Sequence, residues 1–437
     1  MGEYERIRVM WPDHLGIARG KYLPADIADR GTGHCASVFG LGYDRSVSPA
    51  PGSYMLEGLK DVRCGFDPQT VRPGWEDDRT AVAVGHLDFE GEPYPFAARF
   101  ALQKAIADWQ DLGYTPQIGF ELEAYVLEPD DTGGWRLQAA PRSYVYGTGP
   151  TADPTGIIDE IMRASAASGL KLESVNAEFD ESQFELTLQH DEALRAADDA
   201  FLFRVMAREI ALRGGNDLTF LGKPFNDLSG SGLHVNFSLN DTDGQNAFID
   251  INASDGLSAL ARGSLAGLCA HHKAMTALCA PTVNAYRRLR PGEFAGYWAN
   301  WGHEHRFACN RVPDARGAAT RIESRLADGS ANIHLAAATV LQAARLGLTE
   351  ELACPEPLTT DGFEEINTEV SSADNLGDAL ADLAADPALV EALGSDLCAN
   401  FLFNKANEWD RYIAAGGSPE ASDKVTEWEI SQYLNYH

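Results

Sequence analysis

The sequence predicts an α+β fold, with a small N-terminal α/β part followed by a large C-terminal α+β part. Three observations lead there. Hydrophobic residues make up 44 % of 437 positions, a globular composition. Roughly the first ninety residues mix short strand-like runs with Gly- and Pro-rich turns. From residue 115 onward strand-like and helix-like segments alternate, without low-complexity tracts or internal repeats.

Taken in chain order, "RIRVMW" and "TAVAVGHLDF" read as strands of the first part, and "EGEPYPFAAR" (90–99) as a hinge. "AARFALQKAIADWQDLG" spaces its apolar residues by three and four and meets a glycine at its end, which predicts a helix. "GFELEAYV" (119–126) alternates Phe120, Leu122, Ala124 and Val126 with other residues, which predicts a strand. Three more such stretches follow: "NAEFDESQFELTLQ" (176–189), "GSGLHVNFSLN" (230–240) and "TRIESRLAD" (320–328). The tail from 376 to 415 is helical by period. "GGSPEAS" near 416 reads as a loop, and the pair His271–His272 as structural residues on two sides of a helix.

Composition narrows the function classes. Asp and Glu outnumber Lys and Arg 65 to 35, a net charge of −30, which repels nucleic acid and anionic membrane. The excess is spread along the chain and is expected to reflect adaptation to high salt, where screening makes many like charges tolerable. No run of about 18 apolar residues occurs, and the first residues lack a signal peptide's apolar segment, so a soluble cytoplasmic protein is expected. The cysteines, 7 in number with no CxxC pair, suit free thiols in a reducing compartment rather than disulfides or a zinc site.

The strand-like stretches share one peculiarity. In "GFELEAYV" the period of two puts Glu121 and Glu123 on one face, about 7 Å apart. There they repel by roughly 2–3 kcal/mol at an effective dielectric of 20. In the second stretch Gln183, Glu185, Thr187 and Gln189 share a face, with Glu178 just upstream. In the third, His234, Asn236, Ser238 and Asn240 alternate with apolar residues; in the fourth, Arg321, Glu323 and Arg325 align. Each alone also fits a solvated acidic face, a structural histidine or an ion-pair ladder. As neighbours in one antiparallel sheet they would bring five carboxylates and an imidazole to one concavity, a crowding that divalent cations would relieve. Oxygen-rich ligands with a single nitrogen favour Mg²⁺ or Mn²⁺ over Zn²⁺. Arg306 and Arg311 in "HEHRFACNRVP" could grip phosphate oxygens. With no evident Ser or Cys nucleophile, and no Walker loop at "GSG" (230–232), phosphoryl transfer from a nucleotide is the expected chemistry.

In order and spacing, "GFELEAYV", "NAEFDESQFEL", "KPFNDLSGSGLHVNFSL", "PTVNAYRRLRPG" and "TRIESRLAD" resemble the motifs of the glutamine synthetase family, type I-like. The resemblance runs over nearly the whole chain. It implies a β-grasp N-terminal domain (1–97) and a catalytic domain (98–437) with a curved antiparallel sheet flanked by helices. It implies ATP and glutamate as substrates and two or more Mg²⁺ or Mn²⁺ ions. One metal would be held by Glu123, Glu178 and Glu185, the other by Glu121, His234 and Glu323. Arg288 and Arg325 match positions that grip glutamate, and Gly230 its backbone contact. Arg306 and Arg311 match arginines facing the phosphates, while Asn236, Ser238 and Arg321 match nucleotide contacts. Arg306, Glu178 and Arg288 are the implied catalytic residues. A homo-oligomer is implied too, a double ring that in the family is commonly a dodecamer.

The departures point to the acceptor. The family's flap glutamate, which helps deprotonate ammonium, falls at Phe294, with Glu293 one place early. Asn176 and Ala177 stand in place of two histidines, Ser229 in place of an asparagine, Asn236 in place of a histidine and Ala318 in place of a lysine. "FGLGYDRSVSP" is only loosely similar to the ammonium-binding loop. The expected activity is therefore an ATP-dependent glutamate–amine ligase whose acceptor is a primary amine or polyamine, with Phe294 as an apolar wall. Glutamine synthesis from ammonia is the alternative, and a catalytically silent structural or regulatory oligomer the second.

Overall fold

The computed structural model describes residues 4–437. Its first sheet contains β1 (Arg6–Pro12), β2 (Ala18–Pro24), β3 (Thr32–Cys35), β4 (Asp61–Phe66), β5 (Arg72–Pro73), β6 (Thr80–Phe89) and β7 (Glu92–Pro93). The order is β2-β1-β6-β4-β3, with β5 and β7 also on β6. The β1–β6 pair at its centre is parallel, and the other pairs are antiparallel. In place of the α-helical content expected here, the described residues before Ala98 hold only 3₁₀ turns. The Gly-, Pro- and Ser-rich stretch from 31 to 53 offers no apolar spacing of three and four to sustain a helix. Alternation along β1 sends Ile7, Val9 and Trp11 into a small core with Phe39, Val62 and Tyr94, and Met10 into the large one.

The chain then forms α1 (Ala98–Asp111), whose Ala98, Ala101, Leu102, Ala105 and Trp109 are buried as the spacing predicted. The second sheet is built on β8 (Thr115–Pro129), with β9 (Trp135–Leu137), β10 (Leu172–Ala177), β11 (Gln183–Leu188), β12 (Asp191–Glu192), β13 (Asp217–Thr219), β14 (Leu233–Asn240), β15 (Trp301–His303), β16 (Asn310–Val312) and β17 (Ile322–Ser324). Its order is β10-β11-β8-β14-β17-β16-β15, and β9, β12 and β13 also pair with β8. The last of the four stretches is shorter as a strand than its pattern suggested. Residues 325–328 leave β17 to hydrogen-bond elsewhere, Arg325 N–H to Cys309 O and Asp328 N–H to Cys279 O.

The helices are α2 (Ile157–Ala167), α3 (Ala193–Arg213), α4 (Ala259–Ala270), α5 (His272–Cys279), α6 (Ala285–Arg288), α7 (Ile333–Thr349), α8 (Leu376–Ala384), α9 (Pro387–Leu393), α10 (Ser395–Ala414) and α11 (Glu427–Tyr433). The helical tail divides where Asp386 caps α9 ahead of Pro387, and where Gly394 takes φ 116°. His271 and His272 sit at the break between α4 and α5, bonded to Asp386 and Ser372. The apolar face of β8 (Ile118, Phe120, Leu122, Ala124, Val126) joins one core with residues of α1, α3 and α7. The protein is an α+β fold whose second sheet buries one face under helices and leaves the other, polar face as a concavity. No helix among the described residues is long and apolar enough to cross a membrane.

Candidate active site

Strand register brings the polar residues together. β11 runs antiparallel to β8 with Glu185 opposite Glu123 and Thr187 opposite Glu121. On the other edge of β8, β14 puts His234 opposite Glu121. Next come Asn236 opposite Glu323 on β17, and Arg311 opposite Glu323 on β16. A one-residue slip in any of these pairs would turn its carboxylates into the helical core.

His234 is the hub. Its Nδ1 lies 2.9 Å from Glu121 Oε2 and 3.9 Å from Glu323 Oε1, and its Nε2 lies 3.8 Å from Glu123 Oε1. Two groups result, Glu121–His234–Glu323 and Glu123–Glu185–His234, each with its ligand atoms within 4.8 Å of one another. Glu178, expected with Glu123 and Glu185, stands just past β10. It accepts a hydrogen bond from Asn176 Nδ2 at 3.3 Å and joins neither group.

The charges are unevenly compensated. Burial works against ionised Glu121, but His234 and Asn236 bond its two oxygens and bring its pKa down to about 2. Glu323 is buried too, and Arg325 and Arg311 hold its pKa below the usual range. On the other side Glu185 is buried beside Glu121 and Glu123 with no arginine, and its pKa rises to about 8. Glu178 is raised by burial and Glu123. That half of the site is an acidic cage short of positive charge, and a divalent cation is the group that fits it.

Around the cage, Arg288 is almost fully buried, which lowers its pKa. Its guanidinium donates to Arg325 O at 3.2 Å and Leu326 O at 3.4 Å. A side chain on Gly230 would overlap the Arg288 stem and Gly222 O, so glycine there lets the arginine pass. Gln183 Nε2 donates to Gly230 O at 3.0 Å, and Asp180 accepts from Ser229 N–H and the Tyr125 hydroxyl, holding the loop that carries Gly230. Arg311 joins Glu323 to Glu304, while Arg306 is exposed on the loop between β15 and β16. Asn236, Ser238 and Arg321 line a cavity of about 680 Å³ that begins at Glu121.

A second cavity, of about 750 Å³, lies between the Gly230 loop and the segment at 290–293. Phe179, Asp180, Ser229, Arg290 and Glu293 line it, and Phe294 does not. The Phe294 ring stacks instead on Phe307 with centroids 4.3 Å apart, and its carbonyl accepts from Arg325 Nη2 at 3.1 Å. Of the two neighbours, Glu293 lines this cavity and Phe294 does not.

Residues 96–433 match the family described as glutamine synthetase, catalytic domain. The chain belongs to the glutamine synthetase family. Curated glutamine synthetases resemble it along most of their length. That of Halobacterium salinarum is 31 % identical over 98 % of this chain and 93 % of its own. That of Clostridium saccharobutylicum is 34 % identical over 87 % and 85 %. Among solved structures, one titled apo GmaS without ligand superposes with a TM-score of 0.83 at 28 % identity, covering 99 % of this chain and 97 % of that one. A GmaS/ADP complex gives 0.82 at 27 % identity, with the same coverage. This chain is accordingly an ATP-dependent ligase of the glutamine synthetase family, a family that uses divalent metal, and its two acidic–histidine groups could hold such ions.

Periodicity did not reveal the contacts of Gln183, Asp180 and Tyr125, because these residues act on a loop rather than on their own strand. The stack of Phe294 on Phe307, and of Phe307 in turn against Phe363, went unseen as well, because these residues lie on separate loops that only tertiary folding joins.

Proposed function

We propose that the chain makes γ-glutamyl amides, activating glutamate with ATP and transferring the acyl group to a primary amine larger than ammonia. The observation that carries this reading is the 750 Å³ cavity beside the Gly230 loop. It is far larger than an ammonium ion needs, which is about one water's share of roughly 30 Å³. Lys223, Arg287 and Arg290 share its lining, but Asp180, Asp227, Glu293 and Asp423 outnumber them and suit the charge of an amine, and Phe179, 77 % exposed, suits an apolar body.

In this mechanism Arg288 and Arg325 hold glutamate, whose γ-carboxylate oxygen attacks the terminal phosphorus as ADP leaves. Arg306 and Arg311 face the phosphates, and Asn236, Ser238 and Arg321 the nucleotide. Glu121, His234 and Glu323, with Glu123, Glu185 and the nearby Glu178, would hold divalent cations. When bound, these neutralise charge on the transferring phosphoryl group. Glu293 then takes a proton from the incoming ammonium group, the freed amine attacks the γ-carbonyl, and phosphate leaves. Phe294, through its stack on Phe307, fixes the segment that presents Glu293. The subunits form a ring in this reading, which light scattering would test.

Phosphate release with ATP and glutamate, across ammonium and a panel of primary amines, is the deciding experiment. At least one amine is expected to exceed ammonium in kcat/KM. Ammonium exceeding all of them would return the chain to glutamine synthesis, a reading favoured by relatives of that name at 31 and 34 % identity. No release with any acceptor would leave the silent oligomer.

A further inference from the structure

Beyond the turn that ends β14, a carboxamide with no assigned role is tied to the wall of the 680 Å³ cavity. Asp241 to Gln245 form the turn, with Gly244 at φ 75°, and the chain returns so that Asn246 bridges Asn240. Asn246 Oδ1 accepts from Phe248 N–H at 2.9 Å, which sets the orientation of the amide. Its Nδ2 then donates to two carbonyls of a distant segment, Thr320 O at 2.7 Å and Ala318 O at 3.2 Å. These carbonyls flank Ala319, immediately before Arg321. Arg321 in turn donates from Nε to Asn236 Oδ1 at 2.9 Å, and Asn236 donates to Glu121 Oε1 at 2.9 Å. A continuous hydrogen-bonded run therefore leads from the turn, through the segment preceding Arg321, to the carboxylate at the edge of the metal cage.

The need for such a tie is local. Residues 317–319 form a single 3₁₀ turn with no buried residue, and Gly317 has φ 68°. Packing holds this segment weakly, yet Ala318, Ala319, Thr320 and Arg321 all line the cavity. One side chain donating to two of its carbonyls fixes both its depth and its orientation. We propose that Asn246 is a positioning residue for the nucleotide: it holds the 318–321 wall, and through it Arg321, in the geometry that accepts ATP. This rests on the reading of that cavity as the nucleotide site.

The test compares Asn246→Ala with Asn246→Asp in the full-length protein, using ADP with Mg²⁺ as the titrant in calorimetry. The aspartate keeps the acceptor for Phe248 N–H but removes both donated hydrogen bonds. A residue needed only to form the turn would tolerate it. Both variants are expected to weaken ADP binding about tenfold and to raise the KM for ATP similarly, while the KM for glutamate stays unchanged. Wild-type affinity in Asn246→Asp would overturn the proposal, as would equal shifts in the two KM values. Wild-type protein that binds no ADP would instead overturn the nucleotide reading itself. Should both variants fail to fold, hydrogen exchange on the wild type decides: amides of 317–321 are expected to slow when ADP binds, and unchanged exchange there refutes the role.

Discussion

Glu185 is the residue at which function and stability pull most visibly apart. Burial is the largest cost to its charge, Glu121, Glu123 and Glu178 add to it, and only the shared His234 offsets it. Replacing it with glutamine keeps the shape and removes a like charge. Glu185→Gln is expected to melt at or above the wild-type temperature while Mn²⁺ binding weakens and turnover falls at least a hundredfold; unchanged Mn²⁺ affinity would sink the metal assignment. Glu293→Gln is expected to behave differently. General-base catalysis contributes about 10²–10⁴-fold, so amide formation should fall within that range while ADP binding is retained. A variant as active as wild type would remove Glu293 from the mechanism.

Two histidines set a pH limit at the same scale. His14 and His272 are buried, which lowers both pKa values to about 4, against about 6.5 in the unfolded chain. Between those values the unfolded state takes up protons that the folded state refuses. Their contribution is thus complete above about pH 6.5 and is lost as pH falls toward 4, by up to about 3 kcal/mol each. Asp328, raised to about 6 by burial, acts in the opposite sense: its contribution is present at low pH and lost as pH rises through 6. Urea midpoints measured from pH 7.5 to 4.5 should decline, and His272→Asn should flatten the decline. A parallel decline in that variant would mean that His272 is not a source.

At the scale of elements, α4 and α7 cross on glycines. A Cβ on Gly347 would overlap Gly263 O and Gly267 N, and one on Gly267 would overlap Ala343 O. Glycine inside a helix ordinarily costs about 0.5–1 kcal/mol relative to alanine, so an alanine looks favourable from the sequence. The close approach of the backbones reverses the sign. Gly347→Ala is expected to destabilise the protein by about 2–3 kcal/mol, read as a lower denaturation midpoint, and a stabilised variant would contradict the crossing. The strands carry the same lesson. Alternation in "GFELEAYV" and "GSGLHVNFSLN" placed their polar faces correctly, because the period of two belongs to the strand itself. The short length of β17 and the three-part helical tail were not visible in the pattern, because pairing partners and caps set them.

For the whole molecule, the net charge of −30 makes self-repulsion a general term in stability. The screening length shrinks from about 10 Å at 0.1 M salt to about 3 Å at 1 M. Thermal melting in NaCl is expected to move up by several degrees over that range. A fall would show that local ion pairs, such as the bidentate Arg99–Asp198 pair, outweigh the excess charge.

The sequence by itself determined which residues could form the site. Side-chain period and motif order single out Glu121, Glu123, Glu185, His234, Glu323 and the arginines, since these properties are local to each strand. Only the tertiary structure decided how they combine. Register across β11, β8, β14 and β17 made His234 the shared hub and left Glu178 outside both groups. The same holds for the segment at 290–294, where linear alignment pointed to Phe294. That ring stacks on Phe307, from a loop thirteen residues further along the chain, and Glu293 rather than Phe294 lines the cavity. Orientation within a loop depends on what the loop packs against, and no pattern in the loop's own residues encodes that partner.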